Sequence, residues 1–196
     1  MIKPLLSAIA ATLLISSPAQ ATVVEQWATQ VVGFSSQYGT NNWSAAQALG
    51  APNTNSYGDI GTAWATLNKN NGMEFITLAF ANPVHSVGAL IRETYGNGFV
   101  TQIDALDAQG KLHTVWQGID TSQPGQVVDF RTSWQATSFL THALKIHVNT
   151  NHNLNAWEEI DAVQLQGVAP VPEPETYALM GLGLLSLAMA RRKQRG

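Results

Sequence analysis

The chain has 196 residues, no cysteine and a formal net charge of −3, which excludes disulfide staples, a thiol nucleophile and a thiolate metal site. Between Thr22 and Val171, five Lys and Arg stand against eleven Asp and Glu, a net of −6 with histidine neutral. Such an acidic stretch argues against nucleic acid and anionic lipid as partners, and its many Asn, Thr, Ser, Gln and Gly residues suit a hydroxyl-rich surrounding.

In chain order, residues 1–21 come first. Lys3, an apolar stretch from Leu5 to Ile15 and the small-x-small triplet Ala19-Gln20-Ala21 read as a secretory signal peptide, cut by signal peptidase after Ala21. Residues 22–167 are long enough for one domain with a core of its own. Val31–Phe34 is the first strand expected. Trp43-Ser44-Ala45-Ala46-Gln47-Ala48-Leu49-Gly50 reads as a single helical turn, capped by Ser44 and ended by Gly50 and Pro52. Residues 53–71 are rich in Asn and Gly and read as long loops around Trp64.

Strands then follow closely. Glu74–Phe80 places Ile76, Leu78 and Phe80 on one face, and Val84–Glu93 is read as a separate strand behind Pro83. Phe99–Leu106 turns through Asp107-Ala108-Gln109-Gly110 into Lys111–Trp116, a hairpin. Val127–Phe130 is shorter. Leu144, Ile146 and Val148 alternate with Lys145, His147 and Asn149, the clearest period of two in the chain. A second Asn-rich loop, 149–155, precedes the last strand, Glu159–Leu165. About eight strands with almost no helical periodicity predict an all-β sandwich.

Residues 168–176 form a linker in which Pro172 and Pro174 disfavour helix and sheet. The uncharged run from Tyr177 to Ala190 reads as a short hydrophobic helix. Its fourteen residues at about 1.5 Å each span about 21 Å, against a hydrocarbon core of about 30 Å. It suits a transient tether in the inner membrane better than a permanent anchor. Arg191-Arg192-Lys193-Gln194-Arg195 after it would stay cytoplasmic.

Pro172-Glu173-Pro174, the apolar run and the terminal basic cluster together resemble the PEP-CTERM sorting signal of exopolysaccharide-secreting Gram-negative bacteria. That resemblance implies processing by an exosortase and delivery to the cell surface or matrix. The body resembles a second family. Ser35-Ser36, Trp43-Ser44-Ala45-Ala46, Ala48-Leu49-Gly50-Ala51-Pro52, Tyr57-Gly58-Asp59, Ala63-Trp64-Ala65, Phe75-Ile76-Thr77-Leu78, Ile91-Arg92-Glu93-Thr94 and Trp157-Glu158-Glu159-Ile160-Asp161-Ala162-Val163 are similar, in that order, to the galactose-binding-like jelly rolls. Within these, the scarf-type module of pappalysins is the nearer likeness. The resemblance implies a jelly roll whose first and last strands lie close together, bringing the two Asn-rich loops side by side.

Three chemistries follow from the residues and these resemblances. For a sugar, Tyr57, Trp64 and Trp157 could offer ring faces, and Asn53, Asn55, Asn70 and Asn153 amides for hydroxyls; core packing and turn closure explain the same residues equally well. For a structural calcium, the resemblance points to Asn53, Asp59 and Glu159, although carboxylates that merely aid solubility would look the same. For hydrolysis, Glu158 and Glu159 are expected on opposite faces of a strand. Asp161 is expected to be solvated beside Glu159, Arg92 to pair with Glu93, and His147 to point to solvent. The five histidines lack metal-type spacing, and no nucleophile elbow or phosphate loop occurs. The chain therefore reads as a non-enzymatic, exported β-sandwich. Polysaccharide is the expected partner; a protein-contacting adhesion or spacer module is the alternative.

Overall fold

The structure, a computed structural model, describes residues 23–170 and 174–193. The expected signal peptide, Pro172, Glu173 and Gln194–Gly196 lie outside these residues. One compact unit comprises Ala21–Pro170, and the C-terminal helix belongs to another.

The larger unit contains nine strands: β1 (Val23–Trp27), β2 (Gln30–Phe34), β3 (Trp64–Ala65), β4 (Met73–Tyr95), β5 (Val100–Leu106), β6 (Leu112–Gln117), β7 (Val128–Ser133), β8 (Thr141–Asn149) and β9 (Glu159–Val168). Every pairing is antiparallel. The first half of β4 lies between β2 and β8, and β5 and β6 continue that layer. The second half lies between β7 and β9, whose other edge carries β1 and β3. The two strands expected at 74–80 and 84–93 are thus one strand of 23 residues that serves both layers. The ladder to β8 skips between Ala79 and Val84. Pro83, which has no N–H to donate, sits in that gap, where a strand proline is tolerated, and a strand that changes layers at such a break makes a sandwich corner.

One core fills the space between the layers. Ile76, Leu78, Leu144 and Ile146 come from the first layer and Ile91, Ile160, Val163 and Leu165 from the second. Each such side chain contributes about 1.5–3 kcal/mol on burial. The expected period of two in β8 holds, with Leu144, Ile146 and Val148 fully buried.

Two local expectations need correction. The turn at Ala45–Ala48 is 3-10, and Ser44 does not cap it through its side chain. Its hydroxyl donates to the Asn41 carbonyl at 2.7 Å, while the Gln37 side chain accepts the Ala45 N–H at 2.9 Å. Pro174 does not hold the linker extended but is the first residue of helix α1 (Pro174–Lys193). At that position the missing N–H has no intrahelical partner to lose. Leu182, Leu184, Leu185 and Leu187 of α1 are exposed, and no helix among the described residues is long and apolar enough to cross a membrane.

Candidate functional site

The long segment between β2 and β4 packs against the start of β9 and builds a cleft at one end of the sandwich. Tyr38, Trp43, Asp59, Ala65 and Trp157 line it, around a volume of about 60 Å³. Tyr38 stands edge-on to both indoles, with ring centroids 5.5 Å from Trp43 and 5.5 Å from Trp157. Lys69 places its ammonium 4.5 Å from the centre of the Trp157 ring. Trp43 adopts a left-handed backbone, φ 53°, a conformation that costs a non-glycine residue on the order of 1–3 kcal/mol and clusters at functional positions. Its amide donates to the Gly61 carbonyl at 3.0 Å.

The acids behind this cleft are buried, contrary to expectation. Glu158 and Glu159 are fully buried, and Asp161 is 1 % exposed. An alternating strand exposes one face only when nothing covers it, and here the 53–66 segment does. Asp161 accepts the backbone N–H groups of Asn53 at 3.1 Å and Thr54 at 3.2 Å, and the Thr54 hydroxyl at 2.9 Å. Burial raises its pKa, and those hydrogen bonds oppose the rise. Glu159 accepts the Ile60 N–H at 3.3 Å. Burial pushes its carboxyl up to about 9; the Ile60 N–H pulls it down and the adjoining Asp59 carboxyl pushes it further up. The Trp43 indole N–H leans toward Glu159, yet it and Glu159 Oε1 are both buried short of a well-formed hydrogen bond. Burial also lifts Glu158 to about 8, against the pull of backbone N–H groups and Lys69.

Glu93 does not pair with Arg92. Arg92 bonds Asp129 at 2.6 Å, whereas Glu93 is fully buried and accepts the Gly98 N–H at 2.9 Å. Burial, then the adjoining Asp120 carboxyl, push Glu93 up to about 10, with the Gly98 and Ser122 contacts pulling the other way. Burial and the neighbouring Asp120 charge thus favour the protonated form of Glu93, whose Oε1 is buried without a hydrogen-bond partner. His147 is not free in solvent either: its Nε2 lies 2.7 Å from Asp104 Oδ2. Burial raises the Asp104 pKa, but hydrogen bonds from Thr114, His147 and Gln102 outweigh it and hold this carboxylate below its usual range.

The two Asn-rich loops do meet. The backbone N–H of Asn70 donates to the Thr150 carbonyl at 3.2 Å and its side chain to the Leu154 carbonyl at 3.1 Å. Of the aromatic residues expected as ring platforms, Trp157 lines the cleft, Tyr57 packs edge-on against Tyr95 at 5.4 Å, and Trp64 is fully buried. The Trp64 indole donates to the Ser36 carbonyl at 3.1 Å, so it serves the core and offers no face to a ligand. Asn55 and Asn153 close local turns: the Asn55 side chain donates to the Asn53 carbonyl at 3.5 Å, and the Asn153 side chain accepts the Asn155 N–H at 3.2 Å. Of the expected calcium ligands, Asp59 and Glu159 come together, while Asn53 is tied by its backbone to Asp161. Two carboxyls fall short of the six to eight oxygens calcium takes, and no group of three or more His, Asp or Glu able to hold a metal occurs among the described residues. Sequence reasoning missed Tyr38 and Trp43. Their one local signal is the flanking turn-formers Gly39, Asn41 and Asn42, which present aromatic side chains on a tight loop rather than on a strand.

An antiparallel sandwich of this topology, with an aromatic cleft among its end loops, defines a jelly-roll module as the class. The chain matches the model "Pappalysin-1, SD scarf domain, C-terminal" over residues 16–173 and belongs to that family. Residues 170–193 match the PEP-CTERM protein-sorting motif, within which Pro172-Glu173-Pro174 falls. Among curated proteins, F-box/LRR-repeat protein 4 of Bos taurus is 28% identical over 194 residues, covering 80% of this chain; the chain spans only 30% of that relative's length. Among solved structures, truncated AlyQ with CBM32 and alginate lyase domains gives a TM-score of 0.52 at 15% identity, over 78% of this chain and 35% of that one. Chitosan-binding module 1 of the chitosanase/glucanase from Paenibacillus sp. IK-5 gives 0.50 at 14%, over 75% and 95%. Reduced XRCC1 bound to the DNA pol beta catalytic domain gives 0.53 at 16%, over 76% and 100%. These likenesses establish the jelly-roll fold.

Proposed function

We propose that this protein is an exported, non-enzymatic module that binds carbohydrate in the cleft of Tyr38, Trp43 and Trp157, with Asp59 at its edge. Its tail would direct it, through an exosortase, to the cell surface or the exopolysaccharide matrix. The carrying observation is the cleft itself: three aromatic side chains around a carboxyl offer apolar ring faces and a hydrogen-bond acceptor to one sugar residue. The sorting motif and the presence of carbohydrate-binding modules among the structural neighbours support the same reading. Glycoside cleavage needs two carboxyls that reach the scissile bond from opposite sides. Glu93, Glu158 and Glu159 are all fully buried, which supports binding over hydrolysis.

Retention of the domain on the producing organism's own polysaccharide tests the proposal. Wild-type protein should be retained and Trp157→Ala should elute freely while staying folded. Equal retention of both would remove the cleft from the account. If neither is retained, the adhesion or spacer alternative takes over. For sorting, Pro174→Ala should leave α1 attached to the protein recovered from the native host.

A further inference from the structure

A second cleft of about 180 Å³ opens among the loops at the same end, lined by Gly98, Thr101, Ile119, Asp120, Asn149 and His152, among others. Gly96 and Gly98 set it beside the first. A Cβ on Gly96 would press into the Trp157 carbonyl, and one on Gly98 would meet the Ser122 carbonyl at 2.7 Å and His152 Nε2 at 2.8 Å. Two Cα steps span at most about 7.6 Å, so Gly98 on the second cleft lies within that distance of Gly96, which packs against the backbone of Trp157. His152 closes that turn with a 2.8 Å bond from Nε2 to the Asn97 carbonyl.

The two clefts share one plan. Behind each, a fully buried glutamate adjoins an aspartate that lines the opening: Glu159 beside Asp59, and Glu93 beside Asp120. Asp120 is itself only 4 % exposed and is held in place by the N–H groups of Val100 at 3.4 Å and Ser122 at 2.9 Å. No Lys or Arg lines either cleft. Lys69 sits against the Trp157 ring, which shows that this indole accepts a cation on its face. A carboxylate beside aromatic rings favours an ammonium group, through charge and ring quadrupole together. A uronate polymer would meet like charge in both clefts and across a domain of net charge −6.

Resting on the carbohydrate reading above, we infer that the preferred ligand is an amino-sugar polymer with free amines, whose successive residues occupy the two neighbouring acid-backed clefts. The chain is gripped along its length, so affinity depends on both amine charge and oligomer length.

The test is calorimetric titration of the Ala21–Pro170 unit, within the mature protein, with three tetramers at pH 6: glucosamine, N-acetylglucosamine and a uronate. Glucosamine tetramer should bind at least tenfold more tightly than the other two, and at least tenfold more tightly than glucosamine monomer. Asp59→Asn should weaken it about tenfold. Asp120→Asn should do the same, but this residue also holds loops, so a second variant keeps the test independent of folding. Ile119 is 86% exposed on the rim of the second cleft, so Ile119→Lys should leave Tm unchanged, weaken the glucosamine tetramer severalfold and remove most of its advantage over the monomer. Equal binding of the acetylated tetramer overturns the amine inference and leaves carbohydrate binding standing. An unchanged tetramer affinity in Ile119→Lys overturns the two-cleft arrangement. Failure to bind any of the three, together with no retention on the native polysaccharide, overturns the carbohydrate reading itself.

Discussion

Glu93→Gln is the sharpest probe of the buried acids. In the wild type the carboxyl is fully buried, accepts the Gly98 N–H and adjoins Asp120, and burial pushes its pKa up to about 10. The unfolded chain ionises the same group near the ordinary glutamate value of 4.5. The folded pKa is the higher one, so its stabilisation is complete below pH 4.5 and is lost as pH rises toward 10. Within that window the folded state holds one more proton than the unfolded state, and stability falls by about 1.4 kcal/mol per pH unit from this residue alone. Glutamine has the same shape, can donate to Asp120 through its amide N–H and accept from Gly98 through its oxygen, and does not titrate. Urea unfolding at pH 6 and pH 8 should therefore show the wild type losing roughly 3 kcal/mol more than Glu93→Gln between the two. Equal losses in both proteins would mean that Glu93 is ionised in the fold, and the protonated buried carboxyl would have to be abandoned.

Other outcomes are tied to single contacts. Trp64→Ala should cost about 3–5 kcal/mol in chemical denaturation, whereas Trp157→Ala, half-buried, should cost clearly less and act on binding; matching losses would erase the distinction between core and cleft. Asp161→Ala leaves three donors of Asn53 and Thr54 without their acceptor and should destabilise by about 3 kcal/mol or more, with faster amide exchange at 53–54 as the local readout. Gly98→Ala forces a side chain onto φ +96° and into Ser122 and His152. It should lower Tm measurably, while Gly110→Ala, in open space at φ +75°, should lower it less.

The sandwich was legible because its inward residues follow a period of two at Ile76–Phe80 and Leu144–Val148, and because the 107–110 turn carries Asp and Gly where a hairpin needs them. Asp107 accepts the N–H groups of Gln109 at 3.0 Å and Lys111 at 2.9 Å. β1 and β3 were not legible. Val23–Trp27 adjoins the expected signal segment, and two residues are too short for any period. The continuity of β4 was hidden by Pro83, which reads as a break but here sits in a bend within one strand. The acids were misread for a different reason. Strand alternation assigns Glu158, Glu159 and Asp161 to faces but says nothing of a loop from a hundred residues earlier that covers those faces. Of the candidate site, Trp157 and Asp59 could be named from the sequence; Tyr38 and Trp43 belong to a loop whose fold is set by contacts with β9.

Val23 and Val168 face each other across one rung of the ladder, while Glu159, at the other end of β9, lies beside the clefts. Ten residues of strand at about 3.3 Å each put about 30 Å between those ends. Within the Ala21–Pro170 unit, the first and last strands thus begin and end at one pole, and the candidate clefts lie at the opposite one. A tether fixed after Val168 would therefore join the unit at the pole away from the candidate clefts, and shortening the chain there would leave those clefts untouched.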